Sequence, residues 1–428
     1  MFNQTIIDRR LSNLASTIRK SVDPTFQFTE IPIDEVEHRV AELSQIFDAK
    51  SMSLTRELTD DEVKFIRHEI NHSKADFLYW ATRYAMIKSK DMDLIRFKPT
   101  AAQELLLKKI ATAEYNAIIN KTGDGILLMV LKARQLGIST ISDCIIGHRS
   151  FFYGNTTALI AADVEVRTQN LYEIFGRVLD NTPWWMKPGS ADPKRDYRAK
   201  NKMIAFADQD SVIRFSASKN MQGGDSGQDK GSLGTGQTLP LVHLSELALW
   251  ENPWQIDDAL MPSIPMSART FGIFESTAKG RGNWWHEKWE AALKGLGRRI
   301  PVFIPWYVDP ATYTRPAPVD WVPSQRAENH AERVRVTSPR WVGKTIHLTK
   351  NQLYWWESTR AEYVDGRTLH KFLAEYTSDD QESFQASSMG VFPGELIDDL
   401  YQAANKSPIY IEIKPKQELL MDSVSNDS

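Results

Sequence analysis

Residues 127–140, LLMVLKARQLGIST, decide the fold that we expect for this chain. The apolar first half of this stretch predicts a buried strand. In residues 141–153, which follow it, small and apolar side chains recur at helical spacing. A strand, a turn and a helix in this order bring backbone N–H groups and a helix N-terminus to one point, where they can bind an anion. The stretch therefore predicts a phosphate-binding loop.

The loop matches the usual phosphate-loop motif, G-x-x-x-x-G-K-[ST], only in part. When the two are aligned on Gly137, Ser139 takes the position of the hydroxyl that binds Mg²⁺. Ile138 stands where the motif has lysine, and Lys132 stands at the first glycine. The alternative interpretation is an ordinary strand-to-helix turn with two surface cations, Lys132 and Arg134. Other parts of the chain must decide between the two.

The composition is that of a folded protein without disulfides. The chain has 428 residues, enough for two or three domains, and 42% of them are hydrophobic. A net charge of −3 argues against coating nucleic acid with the whole surface, but allows a local basic patch. The single cysteine, Cys144, excludes a disulfide framework and a cysteine-based metal site. Because no signal peptide and no apolar run of roughly 18 residues is present, we expect a soluble protein without a membrane partner.

Hydrophobic patterns divide the chain into four parts. Residues 1–95 predict a helical region, and residues 96–305 predict an α/β domain with a largely parallel sheet. Residues 306–395 begin with an irregular stretch and predict a small subdomain, and residues 396–428 are a polar tail. The predicted strands are 125–132, 157–161, 202–207, 212–216, 239–244, 270–274 and 300–304, and a mobile loop is expected at 216–238. The predicted helices include 33–47, one starting near Thr59, 75–87, 104–113, 164–179 with Asp163 as its cap, and 348–363 starting at Thr349.

Polar residues follow two of these strands. Ser245 and Glu246 end the strand 239–244. In a P-loop ATPase an acid or hydroxyl at this strand end binds Mg²⁺, and the next carboxylate polarises the attacking water. The strand 270–274 is followed by a hydroxyl-rich turn that could sense loss of the γ-phosphate. For this second segment, a strand followed by a polar turn is the alternative.

Gln103, at the start of the predicted helix 104–113, is a further candidate. Its amide presents a hydrogen-bond donor and an acceptor together, which can read the edge of adenine. Taken alone, this residue is not specific.

Together these segments resemble the large terminase subunits of tailed bacteriophages, the ATPases that drive DNA into a procapsid. KARQLGIST, LVHLSELALW and FESTAKGRGN are similar, in order and spacing, to that family's phosphate loop, second signature and coupling motif. EYTSDDQESFQASSMGVF, residues 375–392, is similar to the segment that closes the family's ATPase half. The resemblance covers most of the chain, from about residue 80 to residue 395.

This resemblance implies a RecA-like (ASCE) P-loop fold with a lid subdomain, and ATP and Mg²⁺ as cofactors. It implies that Lys132 reaches over the phosphates and Arg134 contacts the γ-phosphate, while Glu246 is the catalytic carboxylate. Ser139 and Ser245 would bind Mg²⁺. The implied nucleotide-binding residues are Gln103, Lys132, Ala133, Arg134, Gln135, Leu136, Gly137, Ile138, Ser139 and Thr140, and the implied coupling residues are Ser276, Thr277 and Ala278.

Three features depart from the family pattern. Ser245 stands where Asp is commonest. Between Arg214 and Arg269 there is no arginine that could act as a finger on a neighbouring subunit, which leaves Lys230 as the possible trans-acting cation. The family's nuclease domain is larger than the segment after Phe392, so we expect no DNA cleavage by this chain.

The implied partners are double-stranded DNA, a portal protein, a small terminase subunit and further copies of the chain in a ring. The implied location is the host cytoplasm, with transient docking on the procapsid. Residues 294–350 carry ten Lys or Arg and four acids, which suits a phosphate backbone or, equally, a solvated surface. Two alternative functions stay open, a helicase-like nucleic-acid-dependent ATPase and a non-hydrolysing nucleotide-binding subunit.

Overall fold

The computed structural model describes residues 31–384, except for 49, 52, 121, 123, 188–197, 200–201, 207–208, 222–236 and 364–367. Lys230, most of the loop predicted at 216–238, and the part of the chain after residue 384 lie outside the described residues.

Strands of the described part form one large sheet and two small hairpins. In chain order the strands are β1 (Phe47–Asp48), β2 (Ser53–Leu54), β3 (Met86–Lys88), β4 (Leu94–Arg96), β5 (Ile126–Lys132), β6 (Thr157–Ala162), β7 (Arg198–Ala199), β8 (Met203–Phe206), β9 (Ser211–Ala217), β10 (Leu241–Ser245), β11 (Phe271–Ser276) and β12 (Arg299–Ile304). β1 pairs with β2 and β3 with β4, and the other described strands form the sheet.

In space the order of the sheet is β12-β5-β11-β10-β6-β9-β8-β7. Neighbouring strands run parallel from β12 to β9, and β8 and β7 extend the sheet by antiparallel pairing. β11 therefore lies between the loop strand β5 and β10, which carries the second signature. Because the strands are parallel, their carboxyl ends meet at one edge, with Ser245 beside Glu275 and Ser276 beside Leu131. The α/β fold class predicted from the sequence is confirmed.

Helices cover both faces of the sheet. In chain order the described α-helices are α1 (Ile33–Gln45), α2 (Asp60–Ala75), α3 (Phe77–Tyr84), α4 (Ala101–Ile119), α5 (Ile138–Phe152), α6 (Glu165–Asn181), α7 (Trp284–Leu293), α8 (Gln325–Val342), α9 (Lys350–Ala361), α10 (Leu369–Glu375) and α11 (Asp380–Ser383). No helix in the described part of the chain is long and apolar enough to cross a membrane.

β5 is buried on both faces, which explains its unbroken apolar run. Leu128 and Val130 face a cluster that contains α4, α5 and α6 and extends to the N-terminal helices and α8–α10. Leu127, Met129 and Leu131 face a second cluster around the tryptophans of α7. The strand that leads into the loop is therefore fixed by packing from two sides.

Predictions about the ends of three helices were wrong. The helix predicted at 104–113 is longer at both ends, since α4 begins at Ala101 and ends at Ile119. The aromatic stretch predicted as one helix, 75–87, is divided because Asp76 is extended and accepts hydrogen bonds from the backbone of Leu78 and Tyr79, so that α2 ends and α3 begins there. Asp163 does not cap α6, since its carboxylate pairs with Arg167 one turn later. The predicted starts at Thr59 and Thr349 are confirmed, and both form capping boxes.

A close contact between α5 and α6 gives a stability test. A Cβ added to Gly147 would lie 1.9 Å from the ring of Phe175, which is fully buried. We expect Gly147→Ala to lower the free energy of unfolding by about 1–3 kcal/mol, because the ring has to move. Urea unfolding measures the change. With Phe175→Leu added, the combined cost should be smaller than the sum of the two single costs; a strictly additive result would contradict the proposed clash.

Candidate active site

The loop between β5 and α5 has the backbone shape of an anion site. Gln135 and Gly137 both have positive φ, 54° and 68°, and alternation of left- and right-handed residues turns successive N–H groups toward one side. α5 begins at Ile138, and no side chain caps its N-terminus in the described structure. The first N–H groups of a helix have no acceptor within it, so this end can bind a phosphate.

Gln103 braces the loop. Its Nε2 donates to the Gly137 carbonyl at 2.8 Å, and its Oε1 accepts from the Thr100 N–H at 2.9 Å. A Cβ at position 137 would lie 2.7 Å from that Nε2 and would displace the amide, and the positive φ of Gly137 favours glycine there. The structure thus places Gln103 against the loop, and its predicted contact with adenine stays a prediction.

Lys132 is the last residue of β5, and its ammonium lies between two carboxylates. Its Nζ is 3.0 Å from an oxygen of Glu246 and 3.0 Å from an oxygen of Glu275. Burial lowers the pKa of Lys132, but the two carboxylates raise it more, so the net shift is upward. This loop has no lysine at the motif position, but a fully charged lysine, Lys132, stands at the end of the strand that leads into it.

Both serines predicted to bind Mg²⁺ contact Glu275. The hydroxyls of Ser139 and Ser245 each donate to Glu275 Oε1 at 2.7 Å. Burial raises the pKa of Glu275. Lys132 and His243 lower this pKa by a larger amount, so that it lies far below the usual range for a carboxyl group. We call these residues (Lys132, Ser139, Ser245, Glu246 and Glu275) the Lys132 cluster.

Glu275 had no role in the sequence analysis, although a signal was present. An acid at the end of the apolar run FGIFE, directly before the coupling motif, is out of place in a strand buried on both faces. Its partners come from β5, α5 and β10, so only the strand order reveals why it is there.

Glu246 adopts a conformation that is unusual for a residue with a side chain. Its φ is 55° and its ψ 43°, immediately after β10 ends. Such left-handed residues cost roughly 1–3 kcal/mol and persist where the surroundings enforce them, often at functional sites. The turn points the carboxylate at Lys132 and leaves it partly open to solvent.

A second buried ion pair lies behind the cluster and was missed. His243 Nδ1 is 2.6 Å from Asp143 of α5, and its Nε2 is 3.5 Å from Glu275. Burial lowers the pKa of His243, but the two carboxylates outweigh it and raise it to about 9. Burial raises the pKa of Asp143 to about 6, with His243 acting against it. His243 was hidden within the strand LVHLS, which looks apolar.

Arg134 forms its ion pair outside the Lys132 cluster. Its guanidinium pairs with Glu375 of α10 at 2.9 Å, and its backbone N–H donates to the Glu375 carbonyl at 2.8 Å. The Tyr313 hydroxyl donates to the Arg134 carbonyl. The loop is therefore tied directly to the C-terminal helices. The guanidinium is half-exposed, so the ion pair is weak and readily exchanged.

The coupling residues form a second layer. Ser276 Oγ accepts a hydrogen bond at 3.1 Å from the backbone N–H of Ala248, which follows Glu246 in the chain by two residues. The side chains of Thr277 and Ala278 are buried. Because of this hydrogen bond to Ser276, a shift of the turn at Glu246 would displace the end of β11.

No protein-family model matches the sequence, and no curated protein is significantly similar to it. Solved structures similar to it include the HK97 bacteriophage large terminase, at 12% identity and a TM-score of 0.44, over 71% of this chain and 54% of that one. They also include the large terminase ATPase domain of Thermus phage P74-26, at 15% identity and a TM-score of 0.34, over 59% of this chain and 87% of that one. A mutant of that domain matches at 14% identity and a TM-score of 0.33, over 61% of this chain and 91% of the mutant chain.

All of these are large terminases. The chain spans about half the length of the HK97 protein. With identities of 15% or less and TM-scores below 0.5, these likenesses leave the activity to be inferred from the chain's own residues.

The donor set fits a hard cation bound together with phosphates. Ser139, Ser245, Glu246 and Glu275 offer only oxygen atoms, which Mg²⁺ prefers, and Mg²⁺ in nucleotide sites takes its remaining ligands from phosphates and water. The loop backbone and Lys132 supply positive charge beside these oxygen atoms, as an anion site requires.

The His243–Asp143 pair predicts a pH dependence of stability. A histidine whose pKa is raised in the folded state stabilises it fully below its ordinary pKa of 6.5, and this contribution is lost as pH rises through about 9. Between these pH values the free energy of unfolding should fall by on the order of 3 kcal/mol more in the native chain than in Asp143→Asn/His243→Gln. Urea unfolding at a series of pH values measures this difference.

His148→Gln is the matched control. His148 is also buried, but burial lowers its pKa to about 3, so it does not titrate in this window. This variant should keep the native slope with pH. Equal slopes in the native chain and the double variant would contradict the charge assignment of His243.

Proposed function

We propose that this chain is the ATP-hydrolysing motor subunit of a phage large terminase, which translocates double-stranded DNA into a procapsid. One observation carries the proposal: the residues assigned from the motifs to phosphate, Mg²⁺ and catalysis (Lys132, Ser139, Ser245 and Glu246) converge at one sheet edge beside an uncapped helix N-terminus. An ordinary strand-to-helix turn with surface cations does not account for a buried lysine between two acids.

Hydrolysis requires a positioned water and stabilisation of charge on the transferred phosphoryl group. In the proposed mechanism Glu246 accepts a hydrogen bond from the attacking water and orients it. The loop N–H groups and Lys132 bind the phosphates, and Lys132 shifts from the carboxylates toward them. Ser139 and Ser245 would hold Mg²⁺ through their hydroxyls, and the ion would supply positive charge to the phosphates.

Two contacts support coupling between nucleotide and the C-terminal helices. Arg134 can exchange Glu375 for the γ-phosphate, which would loosen the link between the loop and α10. The bond from Ala248 to Ser276 joins the turn of Glu246 to the end of β11. Each contact connects a residue of the proposed phosphate site to a neighbouring structural element.

The partners are proposed by resemblance. They are DNA, a portal protein, a small terminase subunit and a ring of further copies, in the host cytoplasm and on the procapsid. In the basic span 294–350, α8 carries half-exposed cations such as Arg335 and Arg340, which are candidates for contact with the DNA backbone. Lys230 is retained as a possible trans-acting cation.

Glu246→Gln tests the catalytic assignment. It should bind ATP but lose about 10²–10⁴-fold of the DNA-stimulated turnover, since an amide is a poor base. Phosphate release with DNA and a portal or partner subunit measures turnover, because a trans-acting cation would leave an isolated chain slow. Glu251→Gln is the control, because Glu251 pairs with Lys219 at the nearby surface and should keep its turnover. Undiminished turnover in Glu246→Gln would contradict the assignment.

Glu375→Gln tests the link to α10. The half-exposed pair stabilises little, so the free energy of unfolding should change by less than about 1 kcal/mol. ATP should bind at least as well, since Arg134 loses a competing carboxylate, while translocated DNA per ATP should fall. Glu362→Gln, an exposed acid after α9, is the control. Unchanged DNA movement per ATP would contradict a coupling role for the pair.

A further inference from the structure

Glu275 is the most connected residue of the Lys132 cluster, yet no motif assigns it a function. It lies on β11, between the loop strand β5 and β10, and its side chain is completely buried. Its carboxylate contacts groups from three other elements: the Lys132 ammonium, the two serine hydroxyls and the His243 ring.

A counter-ion for Lys132 is the simpler explanation, but it does not account for the arrangement. Glu246 already pairs with Lys132 at the same distance, 3.0 Å. A counter-ion also does not need two hydroxyls. Ser139 from α5 and Ser245 from β10 nevertheless both donate to the same oxygen at 2.7 Å. Three oxygen ligands from three separate elements therefore meet at one point.

The chemistry of this point suits a divalent cation bound with a nucleotide. Mg²⁺ is usually held by one or two carboxylates together with phosphates and waters. Ser245, at the end of β10, can offer only a neutral hydroxyl. Glu275 lies opposite Ser245 in the parallel register, so an acid there brings a carboxylate to nearly the same place from the neighbouring strand.

We propose that Glu275 is the Mg²⁺-binding carboxylate of this site, and that it supplies from β11 the acidic oxygen that Ser245 does not provide. This inference rests on the proposed ATPase function and adds a residue to it. Its two hydroxyl contacts hold the carboxylate in position, and they are the same hydroxyls that the motifs assign to the cation.

Glu275→Gln separates a metal role from a structural one. A fluorescent ATP analogue is titrated into the full chain, once with Mg²⁺ and once with EDTA. In the native chain Mg²⁺ should tighten binding. The variant should lose about 10–100-fold of that enhancement while its affinity in EDTA changes little. Retention of the native enhancement, or an equal loss with and without Mg²⁺, would overturn the proposal.

A rescue variant makes the test specific. Ser245→Asp, added to the Glu275→Gln chain, places an acid at the end of β10 and should restore most of the Mg²⁺ enhancement. A substitution that only restored the packing would not restore the effect of Mg²⁺. Failure of this rescue in a chain that melts cooperatively would count against the proposal. Electron paramagnetic resonance measures Mn²⁺ binding in the presence of the analogue and does not depend on hydrolysis. Mn²⁺ affinity should fall in the Glu275→Gln chain and recover when Ser245→Asp is added.

The control is Glu114→Gln, which breaks another buried ion pair, with Arg149 at the opposite end of α5. It should leave the Mg²⁺ enhancement unchanged. If Glu275→Gln does not fold, Glu275→Asp replaces it: a shortened carboxylate should weaken the enhancement, and full retention would overturn the proposal. A native chain that binds no ATP at all would instead overturn the proposed function itself.

Discussion

The buried ammonium of Lys132, held between the carboxylates of Glu246 and Glu275, is the interaction on which the rest of the site depends. An unpaired charge in such a place would be strongly destabilising, so its partners must arrive with good geometry. They do so because β5, β11 and β10 are parallel neighbours whose carboxyl ends share one edge. Behind them, the His243–Asp143 pair adds a second set of opposite charges that extends the network into α5.

The same arrangement explains why the loop can lack the standard lysine. Ile138, at the motif's lysine position, is buried in the core beneath α5 and fixes the start of that helix by packing. A positive charge lies instead at the end of β5, while Gln135 and Gly137 give the loop the backbone shape of an anion site. In a standard loop, adjacent residues supply both the positive charge and the backbone geometry. In this chain the charge comes from Lys132, before the loop, and the backbone geometry comes from Gln135 and Gly137 within it.

The loop is also the place where the sheet meets the C-terminal helices. Arg134 and Tyr313 join it to α10 and to the segment after β12, through backbone bonds as well as side chains. Around Trp306, aromatic rings from that segment and from α9 pack closely, so this region is a firm body and not a loose linker. In the proposed function, a change at the phosphate position would be transmitted through these contacts.

The sequence by itself predicted seven of the eight described strands of the main sheet, most of the described helices and the loop, because apolar periodicity and glycine are local signals. Motif positions singled out Ser139, Ser245 and Glu246, and the family resemblance added Lys132. The sequence did not predict the hairpins β1–β2 and β3–β4, which lie in the region expected to be helical. It did not reveal Glu275, His243 or Asp143, or the pairing of Arg134 with Glu375. Each of these depends on a partner far away in the chain. Only the tertiary structure decided them, since the order of parallel strands, which brings β11 between β5 and β10, determines which charges share a buried space.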